Sequence, residues 1–253
     1  MRIATFNVNS LRARLDHVKR YAEEAAPDVL CLQELKLDEG QIPYDELKAM
    51  GYPHIIARGQ PSYNGVAMLS KHPIEDPQTQ FHGFDDPAAR VVAGTVQGIR
   101  IYGLYVPNGQ AVGSEKFHYK LGWLEQLRIE VHNHADDISL VVCGDMNIAP
   151  TDLDVWDPFK LDGSLQTTAD ERQALDRVLA WGLKDAWRHL NPFEQQFTWW
   201  DYQKMGFVRN HGLRIDHIFL SDDLLGRLKK MTIHRDVRGW DTPSDHAPVS
   251  VDL

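Results

Sequence analysis

Cysteine is nearly absent from this chain: Cys31 and Cys143 are the only two in 253 residues. Each lies inside an apolar run, Val29-Leu30-Cys31-Leu32 and Val141-Val142-Cys143. That usage does not support a disulfide framework and reads as two buried thiols in a reducing compartment. Also lacking is any apolar run near the roughly 18 residues that a membrane helix needs. No Pro/Gly/Ser-rich linker, fixed short repeat or low-complexity tract interrupts the chain, so one domain over residues 1–253 is expected. The chain opens directly on a strand-like segment without a signal-peptide pattern, and a cytoplasmic location is expected. Excess positive charge is missing as well. There are 27 Lys and Arg against 36 Asp and Glu, a net charge of −9. At first sight this argues against a nucleic-acid partner, because phosphate binding is driven by basic residues. What remains is an ordinary globular mixture, 43% hydrophobic and 25% charged, enough to bury a sizeable core.

The most informative run is Gly144-Asp145-Met146-Asn147, which follows the apolar Ile138-Ser139-Leu140-Val141-Val142-Cys143. It reads as a buried strand that stops at a glycine and delivers a carboxylate and a carboxamide. Ligands bind at the carboxyl ends of strands in α/β sheets. Residues two apart point to one side if strand geometry continues. The plain alternative is turn chemistry, since Gly, Asp and Asn dominate turns. Four other segments share the pattern. Arg2-Ile3-Ala4-Thr5-Phe6 ends in Asn7-Val8-Asn9, and Asp28-Val29-Leu30-Cys31-Leu32 ends in Gln33-Glu34. Asp216 and His217 sit within Leu213–Leu220, and Ser244-Asp245-His246 precedes a last strand from Val249 to Leu253. Five strand-associated sites with acids, amides or histidine point to one assembled centre. Carboxylates gathered together need a cation between them, and oxygen ligands suit Mg²⁺ or Mn²⁺.

The periodicity alternates between helix and strand. Helices are expected near residues 11–25, with Leu11, Leu15, Val18 and Ala22 inward, near 114–134, with Phe117, Leu121, Leu124, Leu127 and Val131 on one face, and near 169–181. Strands are expected at 65–70, 91–96, 99–106, 138–143 and 215–220, with a tight hairpin at Gln97-Gly98.

The ordered set Phe6-Asn7-Val8-Asn9, Leu32-Gln33-Glu34-Leu35-Lys36, Tyr105-Val106-Pro107-Asn108-Gly109, Gly144-Asp145-Met146-Asn147, Gly212-Leu213-Arg214-Ile215-Asp216 and Ser244-Asp245-His246 resembles the exonuclease III family of bacterial AP endonucleases. The resemblance spans essentially the whole chain, with Leu35 standing where the family often has Thr. It implies the four-layer α/β sandwich of the deoxyribonuclease I fold, two mixed sheets flanked by helices. It also implies a Mg²⁺-dependent nuclease that incises double-stranded DNA 5′ to abasic sites and removes 3′ nucleotides and blocking groups. A monomer is expected.

The resemblance and the chemistry together assign roles. Glu34 is the leading metal ligand, with Asn7 beside it. Asp145 aligns and deprotonates the water, with Asn147 holding it; both also belong to the candidate metal set. His246 faces the phosphate and is paired by Asp216, which favours the charged ring. Asp245 is a further metal-side acid. Tyr105, Asn108 and Arg90 contact phosphate, and the Tyr105 phenol assists the leaving oxygen. Trp199, Trp200 and Leu213 wall the pocket for an extrahelical abasic sugar, since a nucleotide lacking its base is the cheapest to unstack. Arg12, Arg14, Lys36, Lys116, Lys120, Arg209 and Arg214 read singly as ordinary charges and together as a local basic rim. His132 and His134 suggest zinc, but no Cys or further His accompanies them at useful spacing. Two rivals remain: a phosphodiesterase of the same fold on inositol phosphates or sphingomyelin, and a nucleic-acid-binding regulator that has lost catalysis.

Overall fold

The computed structural model describes residues 1–135 and 138–253. Among the described residues the strands are β1 (Arg2–Asn7), β2 (Val29–Gln33), β3 (His54–Arg58), β4 (Val66–Ser70), β5 (Glu75–Gln78), β6 (Val91–Val96), β7 (Ile99–Tyr105), β8 (Leu140–Asp145), β9 (Lys184–Asp185), β10 (Trp199–Trp200), β11 (Gly212–Leu213), β12 (Asp216–Leu220), β13 (Lys230–Ile233) and β14 (Val249–Asp252). Two six-stranded sheets form, in the orders β13-β14-β1-β2-β4-β3 and β5-β6-β7-β8-β12-β9, with β10-β11 as a separate pair. Both large sheets are mixed. Parallel pairing occurs at β1–β2 and β7–β8, and each needs a helical crossover. These crossovers are α1 (Leu11–Ala25) and α2 (Glu115–His132). A third long helix, α3 (Ala169–Leu179), lies against α2.

Strand alternation produces the layers. Ile3, Cys31, Val92, Ile101, Cys143 and Ile218 point between the sheets and form the central core. Their neighbours Ala4, Phe6, Leu30 and Leu32 point outward, onto Leu11, Val18, Tyr21 and Ala22 of α1. On the opposite face Tyr102, Leu104, Val142 and Phe219 pack on Trp123, Leu124 and Leu127 of α2 and on Leu175 and Val178 of α3. This is the expected four-layer α/β sandwich. Both cysteines are free and buried in the inter-sheet layer. No described helix is long and apolar enough to cross a membrane.

Helix ends follow capping chemistry. Ser114 is the cap of α2 and accepts from Phe117 N at 3.1 Å. Thr168 and Glu171 form a capping box that starts α3. The hairpin at Gln97-Gly98 has φ of 50° and 77°, the left-handed pair that a two-residue turn requires. One boundary moves in an informative way. β8 does not stop at Gly144 but runs through it to Asp145. Gly144 has φ 138°, and a Cβ there would lie 2.0 Å from Leu104 O. The glycine lets β7 approach β8 closely, which brings Tyr105 opposite Asp145.

Candidate active site

The site forms where β1, β2, β8 and β12 deliver their ends to one edge of the sandwich. Asp145 and Asp216 are cross-strand partners on β8 and β12. Asp145 is almost fully enclosed, with 1% exposure. Its Oδ2 accepts from Asn7 Nδ2 at 2.9 Å, and the same amide donates to Glu34 Oε1 at 2.9 Å. Its Oδ1 accepts from Asn147 N at 2.9 Å. Asp216 binds His246 Nδ1 at 2.9 Å, leaving Nε2 of the ring 3.7 Å from Asp145 Oδ2. Ser244 Oγ donates to Asn7 O at 2.7 Å and fastens the His246 loop to the end of β1. Thus Asn7, Glu34, Asp145, Asn147, Asp216 and His246 come together from segments far apart in the chain.

Gly144-Asp145-Met146-Asn147 has the geometry of a turn and also lies where the polar strand ends meet. Asn147 leaves strand geometry with φ 51°, and its N–H closes a turn on the Asp145 side chain. Asn9, Glu34 and Lys36 also have φ between 45° and 54°. Non-glycine residues pay about 1–3 kcal/mol for such strain and hold it where surrounding structure fixes them. Asn147 has its amide fully engaged. Nδ2 donates to Val106 O at 2.9 Å and Asp145 Oδ2 at 3.3 Å. Oδ1 accepts from Asn108 Nδ2 at 3.1 Å and Gln166 Nε2 at 2.8 Å. In this arrangement the amide orients Asp145, and no N–H of it is left for a water.

Burial first, then the nearby Asp216 and Glu34 carboxylates, push Asp145 up to about 7, against the pull of His246. Burial opposes the charge on His246, but Asp216 and Asp145 outweigh it and raise the ring to about 10. Burial, with Glu34 and Asp145 adding to it, holds the Tyr105 phenol well above its ordinary value, so it stands as a proton donor. Arg90 lies 5.0 Å over the Tyr105 ring and donates to Tyr105 O at 3.2 Å.

The donor set fits a divalent cation. Carboxylate oxygens of Glu34 and Asp145 lie within 4.8 Å of one another, whereas His246, held charged, has no lone pair to add to them. Glu34 meets Lys36 Nζ at 2.8 Å, which offsets one of the gathered charges. Asp245 stands beside this group. Its Oδ1 accepts from Asn9 Nδ2 and its Oδ2 from Trp199 Nε1, each at 2.9 Å. One oxygen is therefore directed toward the aromatic wall and the other toward Asn9 beyond the end of β1.

Trp156, Leu161, Gln166, Trp199, His211 and Leu213 line an adjacent cavity of about 310 Å³. Trp156 and His211 stack at 3.7 Å with 13° between planes. Trp200 departs from expectation. It is completely buried, packs with Phe197 and Ala247, and does not line the cavity. Successive residues of β10 face opposite sides, so only Trp199 can reach the cavity while Trp200 turns into the core.

The sequence model of the endonuclease/exonuclease/phosphatase family matches residues 4–246. The exodeoxyribonuclease III of Haemophilus influenzae is 33% identical, over 98% of both chains. This chain belongs to the exonuclease III / AP endonuclease family. The 3′ phosphatase NExo from Neisseria, solved with a product DNA hairpin, is 40% identical, with TM-score 0.97 over 100% of this chain and 99% of that one. An AP endonuclease from Archaeoglobus fulgidus is 34% identical, with TM-score 0.96 and the same coverage. The chain is accordingly an exonuclease III-type DNA repair nuclease, a phosphodiesterase with a deoxyribonuclease I-like fold. Within that family site, Gln166, Trp156 and His211 escape a motif reading, because they come from loops with no periodic pattern. Asn9 lies inside the Phe6-Asn7-Val8-Asn9 motif, but its hydrogen bond to Asp245 carries no local mark.

Proposed function

We propose that this enzyme incises duplex DNA 5′ to abasic sites and also trims 3′ nucleotides and 3′-phosphates, using Mg²⁺ or Mn²⁺, from a single domain over residues 1–253. The observation that carries the chemistry is the buried Asp145–His246–Asp216 row beside Glu34. Asp145, pushed up to about 7, is matched to take a proton from an attacking water near neutral pH. His246, held charged by Asp216, presents Nε2 to a phosphoryl oxygen. Tyr105 presents its phenol proton, and Asn108 and Arg90 flank the same phosphate. Glu34 with Asn7 would hold the cation. When bound, it supplies neutralisation of phosphoryl charge. Asn147 fixes Asp145 for the reaction, and Asp245 props the Trp199 wall.

Lesion selectivity rests on the cavity beside Asn147. Its apolar walls, Trp199 and Leu213, suit a deoxyribose without its base. A second reading, an enzyme confined to 3′ ends, is favoured by the likeness at 40% identity to the Neisseria proteins described as a 3′ phosphatase and a 3′-5′ exonuclease. Time courses decide between them, on one duplex with an internal abasic analogue and one with a 3′-phosphate, each with Mg²⁺ and with EDTA. Mg²⁺-dependent cleavage of both supports the first reading. Cleavage of the 3′-phosphate alone supports the second, and cleavage of neither sinks both.

A further inference from the structure

Behind the two amides of the site lies a cation that the proposed chemistry does not use. Lys120 of α2 is completely enclosed, with 0% exposure. Its Nζ donates to Asn147 O at 2.7 Å and to Asn108 O at 3.3 Å, and it pairs with the Glu171 carboxylate. An ammonium has three protons, and these partners use all three. Glu171 in turn accepts from Gln166 N at 3.0 Å and from Thr168 Oγ1 at 2.7 Å. Three segments therefore converge on one charge: the loop after β7, the loop after β8, and the turn into α3.

The side chains of the same segments meet on the other side. Asn108 Nδ2 and Gln166 Nε2 both donate to Asn147 Oδ1. Gly109, at φ 95°, lets its loop close over the lysine stem, because a Cβ there would come to 3.3 Å of Lys120 Cδ. Taking an ion pair out of water is costly, and well-packed apolar residues of like volume often serve stability as well or better. An apolar side chain does not grip two backbone carbonyls. The pair's distinctive product is the placement of Asn108 and Asn147 relative to Asp145.

We propose that Lys120, with Glu171 as its counter-charge, is a positioning residue for phosphodiester cleavage, fixing the Asn108 and Asn147 carbonyls from behind so that Asn108 holds the Asn147 amide and Asn147 holds Asp145 in its reacting orientation. This rests on the phosphodiesterase reading of the site.

The test uses Lys120→Met and the double variant Lys120→Met with Glu171→Gln. The single variant leaves a buried carboxylate unpaired and should lose thermal stability. The double leaves no buried charge unpaired and keeps a side chain that still caps α3, so most of the stability should return. If the pair positions, kcat of the double stays about 10- to 100-fold low, as expected for a small misplacement of reacting groups, while KM for DNA moves by less than about threefold. The side-chain amide resonances of Asn108 and Asn147, followed by NMR in the double, should shift or broaden. A double variant with both Tm and kcat restored overturns the proposal, as do amide resonances unchanged from wild type. The NMR measurement needs no turnover. A wild type that cleaves no DNA thus refutes the functional reading separately, and unchanged or shifted amides still decide the positioning.

Discussion

Two clusters of buried carboxylates share β12 and carry opposite electrostatic signatures. Asp216 faces His246 and Asp145, whereas its neighbour His217 faces Arg214 and Asp185. In the second cluster Arg214 binds Asp154 at 2.8 Å and Asp185 at 2.7 Å, and Arg188 adds a contact to Asp154 at 2.6 Å. Burial works to raise both acids there, but Arg214 together with His217 more than offsets it, and both stand below their ordinary values. In the first cluster Asp145 is buried as deeply as Asp154 and goes up instead, to about 7, because burial, reinforced by Asp216 and Glu34, outweighs the pull of His246. Asp145 and Asp154 are equally enclosed, and the charge balance around them differs. A balanced set of acids and guanidinium groups holds loops together. An unbalanced one is poised for a cation and a proton, which is how reacting sites are commonly recognised.

The strongest way to break this comparison is to remove the acids of the unbalanced cluster. Glu34→Ala and Asp145→Asn should each lower cleavage by about 10²- to 10⁴-fold while leaving the fold intact by circular dichroism. A folded variant that retains near wild-type incision at saturating Mg²⁺ would remove its residue from the mechanism.

The balanced cluster should respond the other way. Arg214→Met leaves Asp154 and Asp185 buried without their main counter-charge, at a cost of about 3–5 kcal/mol in urea unfolding. Cleavage per folded molecule should fall less than in the acid variants. The sign with pH follows from the lowered acids. Their stabilisation is complete above the unfolded carboxyl value of about 3.9 and is lost only as pH falls through the lower folded values. A variant as stable as wild type at pH 7 would mean the cluster is not structural.

Trp199→Ala sharpens the distinction between lesion recognition and chemistry. One aromatic contact is worth about 1–3 kcal/mol, so incision at an internal abasic site should drop roughly 5- to 150-fold. Release of a 3′-phosphate should suffer much less, because a chain end is already partly free. Equal losses on both substrates would place Trp199 in support of the shared phosphate site.

The smallest effect at neutral pH is expected from the Asp216–His246 link. The carboxylate raises His246, so Asp216→Asn should lower it from about 10 and bring the alkaline fall of kcat/KM to lower pH. An unmoved alkaline limb would show that His246 is not the group lost there.

How much of this was legible beforehand depends on range. The helices near residues 11–25, 114–134 and 169–181 could be read because a 3.6-residue apolar period is a local property; the first coincides with Leu11–Ala25, and the others differ from Glu115–His132 and Ala169–Leu179 only at their ends. Asn7, Glu34, Asp145, Asn147, Asp216 and His246 could be singled out because each stands at a strand end or within a compact polar motif. Their roles in cleavage remain proposals; their meeting is a matter of geometry. Other features carry no local mark. Trp199 and Trp200 are adjacent and chemically alike, and only the pairing of β10 with β11 sends one to the cavity and the other to the core. Lys120 reads as one more charge on an amphipathic helix until the loops after β7 and β8 close over it. Gln166 belongs to no motif, yet it reaches Asn147. The sequence alone determined the alternation of helix and strand, the strand-end chemistry and the family, because those depend on neighbouring residues and short ordered motifs; the layers followed only through the family resemblance. The tertiary structure alone decided which buried charges balance, because that balance is a through-space sum over β8, β12, the loops and the helices, and no stretch of chain contains it.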